Sequence, residues 1–381
     1  MARIVLASFL IRYPVGGYQS WILQWLVGLQ RLGHEVFFVE RAGWDGSCFD
    51  LQTNESGNDP SRGIRAVEAL LARFGLQHSW CFVDHAGRYH GVTQSRIEEV
   101  FSTADLFIDN MQSCEWPEEA MGAAIKVLVD GEPGYRQMRM EQRAERGLPF
   151  FPFDRFYSVG RNVGTPRSPI PTAGRAWRPV FDPVVVDLFT TGTPPPRAPW
   201  TTVMSWQAHQ PFEFGGVIYG QKDVEFEHFM DLPPSVGVDL ELAIAGKNTP
   251  RQRLIAAGWH LRDSHDVTQT FDDWRDYIAS SRGEFSVAKS IFVRTNSGFF
   301  SDRSAAYLAS GRPVVLQETG FSEHLPCGNG LFAVKDVAEA AAAIAEVEGN
   351  YAHHSRAARE IAWEYLDASK VLTPLLNEIG L

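Results

Sequence analysis

Residues 294–315 read RTNSGFFSDRSAAYLASGRPVV. A glycine-bearing turn at Gly298 leads to Ser301, a good helix N-cap, and Asp302, Arg303 and Ser304 would fill the first turn of a short helix. Gly311 would be the C-cap, Pro313 would block continuation, and Val314 and Val315 would open an apolar strand. Such a segment aims several backbone N–H groups and the positive end of a helix at one spot, which suits a diphosphate. Ser301, Asp302, Arg303 and Ser304 are therefore expected ligand contacts, because small and polar groups at a helix start are what phosphate binding needs. Phe299 and Phe300 read first as core, and Phe300 is kept among the binding candidates.

Outward from this stretch, strands and helices alternate twice over. Strands are expected over 4–9, 36–40, 106–109, 125–130 and 154–159, and again over 202–206, 240–245, 290–293, 313–317 and 331–334. Between the two sets, TTGTPPPRAP at 190–199 cannot be helix or central strand and is expected as the linker. Residues 47–62, rich in Ser, Asn, Gly and Asp, read as a surface loop or lid. Repeated β-α alternation implies parallel sheets with helices on both faces, the fold class α/β. Two such sheets side by side leave a cleft at the carboxyl ends of their strands. The chain length of 381 residues suits two domains of nearly equal size.

Three ordered segments resemble GT-B glycosyltransferases of the group 1, GT-4-like kind. The 294–315 stretch, followed by Gln317-Glu318-Thr319-Gly320-Phe321, looks like that family's donor-diphosphate region. Near the start, a strand leads to Gly16-Gly17 and a helix closing on Arg31-Leu32-Gly33-His34-Glu35-Val36. In the middle, Val203-Met204-Ser205-Trp206 and Tyr219-Gly220-Gln221-Lys222-Asp223 resemble the opening of the donor-binding half. The resemblance implies two Rossmann-like domains facing across a cleft: an acceptor-binding domain over 1–193, a nucleotide-sugar-binding domain over 200–360, and a return helix over 361–381. For that helix the apolar positions Ile361, Leu366, Val371, Leu372, Leu375 and Leu376 form a helical stripe. The paired glutamates of GT-4 enzymes would fall on Gly298 and Ala306, so this chain lacks them, and both inverting and retaining stereochemistry stay open.

The resemblance gives Lys222 the task of neutralising the leaving diphosphate, and Ser205 could donate to the same phosphates. Gly16 and Gly17 would let the backbone approach a ligand or simply make a tight turn, with Tyr18 and Gln19 within reach of acceptor or donor sugar. Glu284 could accept from a ribose or sugar diol, and Lys289 could add charge beside phosphate. The catalytic acid or base is sought among strand-end carboxylates: Asp130 and Glu132 in VLVDGEPGYRQ and Asp109 in FIDNMQSCEW, with Glu115 and His209 behind them. Asp130 is the favoured base and Glu132 is expected to point elsewhere. Trp21, Trp25, Trp44, Trp80 and Trp116 suit either a flat acceptor such as a natural product or the core.

A net charge of −11 argues against a general nucleic-acid binder. No apolar run reaches the roughly 18 residues of a membrane span, and a cytoplasmic protein is expected. The four cysteines are widely spaced and read as reduced structural thiols; no metal motif is visible, so no cofactor is expected beyond a nucleotide-sugar co-substrate. Partners are then a sugar donor and a small-molecule acceptor. A sugar-nucleotide epimerase and a non-catalytic nucleotide-sugar-binding protein are the rival readings.

Overall fold

The computed structural model of the chain describes residues 1–110, 114–208, 210–246 and 248–381. Apolar β-formers build two main sheets. The first contains β1 (Arg3–Ala7), β2 (Glu35–Arg41), β3 (Trp80–Val83), β4 (Tyr89–Gly91), β5 (Leu106–Asn110), β6 (Ile125–Asp130), β7 (Arg155–Ser158) and β8 (Trp177–Pro179). Their order is β8-β7-β6-β5-β1-β2-β3-β4, parallel except for the edge strand β4. The second contains β9 (Trp200–Ser205), β10 (Leu240–Ala245), β11 (His260–Asp263), β12 (Gly283–Ser286), β13 (Val314–Gln317) and β14 (Leu331–Val334), all parallel in the order β11-β10-β9-β12-β13-β14. Each is a doubly wound sheet whose order reverses at its first strand, and a crevice opens where two neighbouring crossovers leave in opposite directions.

Two sequence expectations fail here. Residues 290–293 are not a strand but part of a short helix, Ser290–Arg294. The strand of that part of the sheet is β12, four residues long and buried throughout, in a segment where no strand was expected. Glu284 in its middle broke the apolar pattern that marks buried strands. Residues 47–62 hold a small antiparallel hairpin, Cys48–Asp50 with Glu55–Gly57, rather than a bare loop.

Helix α1 (Gly16–Arg31) joins the halves. Gly16 donates its N–H to the carbonyl of Thr268 at 2.7 Å, and a Cβ on Gly16 would lie 2.3 Å from the Thr270 carbonyl oxygen and 2.7 Å from Trp274 Cβ. Glycine is needed there so that two backbones can meet, not for approach to a ligand, which corrects the expectation for Gly16. Gly17 is less constrained, with Trp274 Nε1 at 3.6 Å from its would-be Cβ. At its far end α1 receives α2 (Ala368–Glu378): a Cβ on Gly28 would meet both Ala368 and Leu372 at 2.8 Å. The chain reaches this position through a π-turn over Ala362–Leu366, pinned by paired backbone bonds between Val184 and residues 366 and 368. The segment 190–199 makes the other crossing, held where buried Arg312 donates to the Gly192 carbonyl at 2.8 Å.

Gly16→Ala should destabilise the protein by about 1–3 kcal/mol, because neither backbone carbonyl nor Trp274 Cβ can step aside cheaply. Thermal unfolding of this variant beside Gly17→Ala checks it; equal midpoints would mean that the Gly16 contact is dispensable.

Candidate functional site

The reversal point of the second sheet lies between β9 and β12, and both strands end at the cleft. Helix α3 (Asp302–Ala309) begins above them. Ser301 caps it, its Oγ accepting from the Arg303 N–H at 3.2 Å, and Gly311, with φ +66°, follows its end. A cavity of about 90 Å³ sits at this spot, bounded by Glu132 from the first sheet and by Lys222, Lys289, Ser301, Arg303 and Thr319 from the second. It is smaller than the roughly 300–1,000 Å³ of a whole small-molecule site, so a larger ligand would extend into the open cleft. A broader depression of about 610 Å³, lined by Pro233, Val238 and Gly258, lies at the amino ends of β10 and β11, away from these groups.

Three cations converge. Lys289 Nζ pairs with both oxygens of Glu132 at 2.5 and 2.6 Å, an ion pair that spans the cleft between the halves. Lys222 is half-buried and makes no hydrogen bond or ion pair with any described residue. Burial, then the charges of Arg303 and Lys289, hold its pKa well below the usual lysine value. An ammonium in this state gains most from an incoming anion.

Arg303 is committed elsewhere. Its Nε bonds Glu284 Oε1 at 2.5 Å, its Nη2 bonds Ser286 Oγ at 2.6 Å and its Nη1 donates to the Val203 carbonyl at 3.0 Å. Glu284 is fully buried. The two residues expected on ribose and diphosphate are thus paired with each other, and only the edge of Arg303 reaches the cavity. Ser304 is fully buried and its Oγ has no partner among the described residues. Phe300 is core, packed on Phe181 and Phe321 with ring centroids 6.4 and 5.6 Å away. Ser205 is exposed at the end of β9 and does not border the cavity.

The favoured base also moves. Asp130 is fully buried and accepts from Gln137 Nε2 at 2.7 Å, Ser158 Oγ at 2.9 Å and the Glu132 N–H at 2.9 Å. It builds the turn and does not face the cleft. Asp109 is buried as well, with Oδ2 accepting from the Cys114 N–H at 2.5 Å. Glu115 holds Arg12 at 3.2 Å, and burial raises its pKa to about 7. His209 lies outside the described residues. Glu132, a candidate ranked behind Asp130 and expected to point elsewhere, is the carboxylate that reaches the site, because the Asp130 cap turns the chain at that point.

Asp182 escaped sequence reading, being one acid in an apolar run. It accepts from the indole N–H groups of Trp21 at 2.7 Å and Trp25 at 3.3 Å. Burial and then the charge of Asp302 push its pKa up to about 7. Asp302, half-buried at the start of α3, is itself raised by burial. Among the described residues no group of His, Cys, Asp and Glu could hold a metal ion, and no helix is long and apolar enough to cross a membrane.

No protein-family model and no curated protein sequence matches the chain. Solved structures do. A structure of an alpha-glucosyltransferase with UDP and a 13-mer DNA is 10% identical with a TM-score of 0.59, covering 100% of each chain. HepE from Anabaena, in complex with UDP and glucose, is 10% identical with a TM-score of 0.59, covering 100% of this chain and 99% of that one. AviGT4, a glycosyltransferase involved in avilamycin A biosynthesis, is 13% identical with a TM-score of 0.52, covering 100% and 97%. The chain therefore has the GT-B fold, two Rossmann-like domains across a cleft.

Asp182 generates a pH prediction. The folded carboxyl keeps its proton up to a pH of about 7, whereas an unfolded aspartate releases it at about 4. Within that window the folded chain binds more protons, so this contribution is complete at the acid end and is lost as pH rises. Asp182→Asn keeps an acceptor for the indoles and removes the ionisation. Its Tm should exceed that of the wild type at about pH 8, and the gap should close toward about pH 5; a gap independent of pH would show that the carboxylate ionises there without cost.

Proposed function

We propose that the protein is a glycosyltransferase that moves a sugar from a nucleotide-diphosphate sugar to a hydroxyl on a small-molecule acceptor. The observation that carries this reading is Lys222: a half-buried, unpaired lysine amino group beside Lys289 and the capped start of α3, at the reversal point of a doubly wound sheet. Strand ends at such a point are where open α/β sheets take ligands, and the charge set fits a diphosphate. UDP in two of the similar structures supports a uridine nucleotide as the first to test.

Charge compensation in this reading comes from Lys222, Lys289 and the helix start, without a resident metal. The diphosphate competes with Glu132 for Lys289. Once it holds the lysine, the Glu132 carboxylate is released into the cleft, where it accepts the proton of the acceptor hydroxyl. The acceptor oxygen forms its bond to the anomeric carbon, and the bond to the diphosphate breaks with its electron pair leaving on the nucleotide.

Lys222→Ala should weaken UDP binding roughly 10- to 150-fold, the equivalent of one charge-assisted contact, with the fold intact by circular dichroism. Unchanged affinity in a folded variant would remove Lys222 from the site. Glu132→Gln should retain UDP affinity, since Lys289 is then freer, and lose about 10²–10⁴-fold in turnover. Turnover at the wild-type rate would assign the proton to the leaving diphosphate instead.

A further inference from the structure

The cleft beside Glu132 carries a wall of aromatic rings that the donor site does not use. The loop after β1 and the start of α1 present Phe9, Tyr13 and Tyr18, the hairpin at 48–57 adds Phe49, and the second half contributes His265. Phe9 and Tyr18 meet edge to face at 4.9 Å, Tyr13 and Phe49 lie 6.3 Å apart with planes within 22°, and Phe49 is 5.8 Å from His265. None of the five is in the buried core, and Tyr18 is 37% exposed.

The wall is built on a fixed base. Buried Glu40, at the end of β2, accepts from the N–H groups of Leu10, Ile11 and Arg12 at 2.8, 2.6 and 3.0 Å, which locks the loop that carries Phe9 and Tyr13. The Arg12 side chain is in turn held between Glu40 and Glu115. A loop anchored in this way holds its rings in place before a ligand arrives, which is what a stacking surface requires. At its inner end the Tyr18 hydroxyl feels the charges of Glu132 and Asp302, and enclosure together with those charges keeps it protonated.

The charges near the wall select among ligands. Arg12 is used by two carboxylates, and Arg62 by Asp50 and Gln269. Neither cation is left for a phosphate, and Asp50 and Glu132 are matched in turn by Arg62 and Lys289, so the wall offers no surplus positive charge. A polyanion is disfavoured at such a surface. A glycan would need a dense set of free hydrogen-bonding groups, and the wall supplies two phenol hydroxyls and one imidazole amid apolar faces.

We propose that this wall is the acceptor subsite and takes a flat, uncharged aromatic molecule bearing a hydroxyl, stacked on Tyr13 and Phe49 with its hydroxyl directed past Tyr18 toward Glu132. The assignment of the subsite to an acceptor rests on the glycosyltransferase reading above; the stacking itself does not.

The test is fluorescence titration of 4-methylumbelliferone and of quercetin into wild type, Tyr13→Ala, Phe49→Ala and the milder Phe49→Leu, with UDP affinity measured by calorimetry on the same preparations. Each alanine should weaken both probes about 3- to 10-fold, with UDP affinity unchanged as the check on folding. No binding of either probe at about 1 mM to the wild type, equal binding by wild type and both alanine variants, or displacement of the probes by a short duplex DNA would each overturn the proposal. Probe binding without UDP binding would sink the donor reading and leave the stacking subsite standing, so the two failures are distinguishable.

Discussion

The buried pair of Glu284 and Arg303 is the interaction on which the cleft depends. Glu284 lies on a strand with no access to water, where a lone carboxylate would be prohibitively costly. Arg303 neutralises it, and the remaining arms of the guanidinium reach the Val203 carbonyl on β9 and Ser286 on β12. One side chain thus ties the start of α3 to the two strands that flank the reversal point. Removing either partner of such a pair typically costs about 3–5 kcal/mol, because the other charge is left stranded. The position of the start of α3, Ser301 included, follows from this clamp.

With Arg303 committed to the fold, the lysines become the mobile charge of the site. Lys289 is satisfied from across the cleft by Glu132, and Lys222 is satisfied by nothing among the described residues. A spot that contains one paired ammonium and one lysine whose charged form awaits a partner favours an anion with two negative groups over one with a single charge.

The fold was legible in the sequence because its strongest signals are local: an N-cap at Ser301, a glycine at the helix end, a proline-rich crossing and apolar runs of strand length. The site was legible in part. Lys222, Lys289 and Ser301, named from the sequence, do border one cavity, because helix starts and strand ends announce themselves in residue types. Glu284 and Arg303 were misread because their partnership joins residues nineteen apart through the sheet, and each alone resembles a ligand contact. Asp130 and Glu132 exchanged places relative to the cleft for a related reason. Nothing in VLVDGEPG states which carboxylate turns inward, and the answer depends on Gln137 and Ser158, whose hydrogen bonds to Asp130 exist only after folding. Asp182 gave no local signal, since its indole partners come from a helix far back in the chain.

The C-terminal helix is covalently part of the second half but is seated on α1 of the first, with Gly28 admitting Ala368 and Leu372. Two chain crossings therefore connect the halves, one at 190–199 and the other at the π-turn of Ala362–Leu366. A lid on a single tether can swing and twist in any direction. A lid on two pins has one axis, the line through both, and so a single path between open and closed. An opening along that path would part Lys289 from Glu132, so the degree of freedom that would admit a ligand would also expose the charges that meet it.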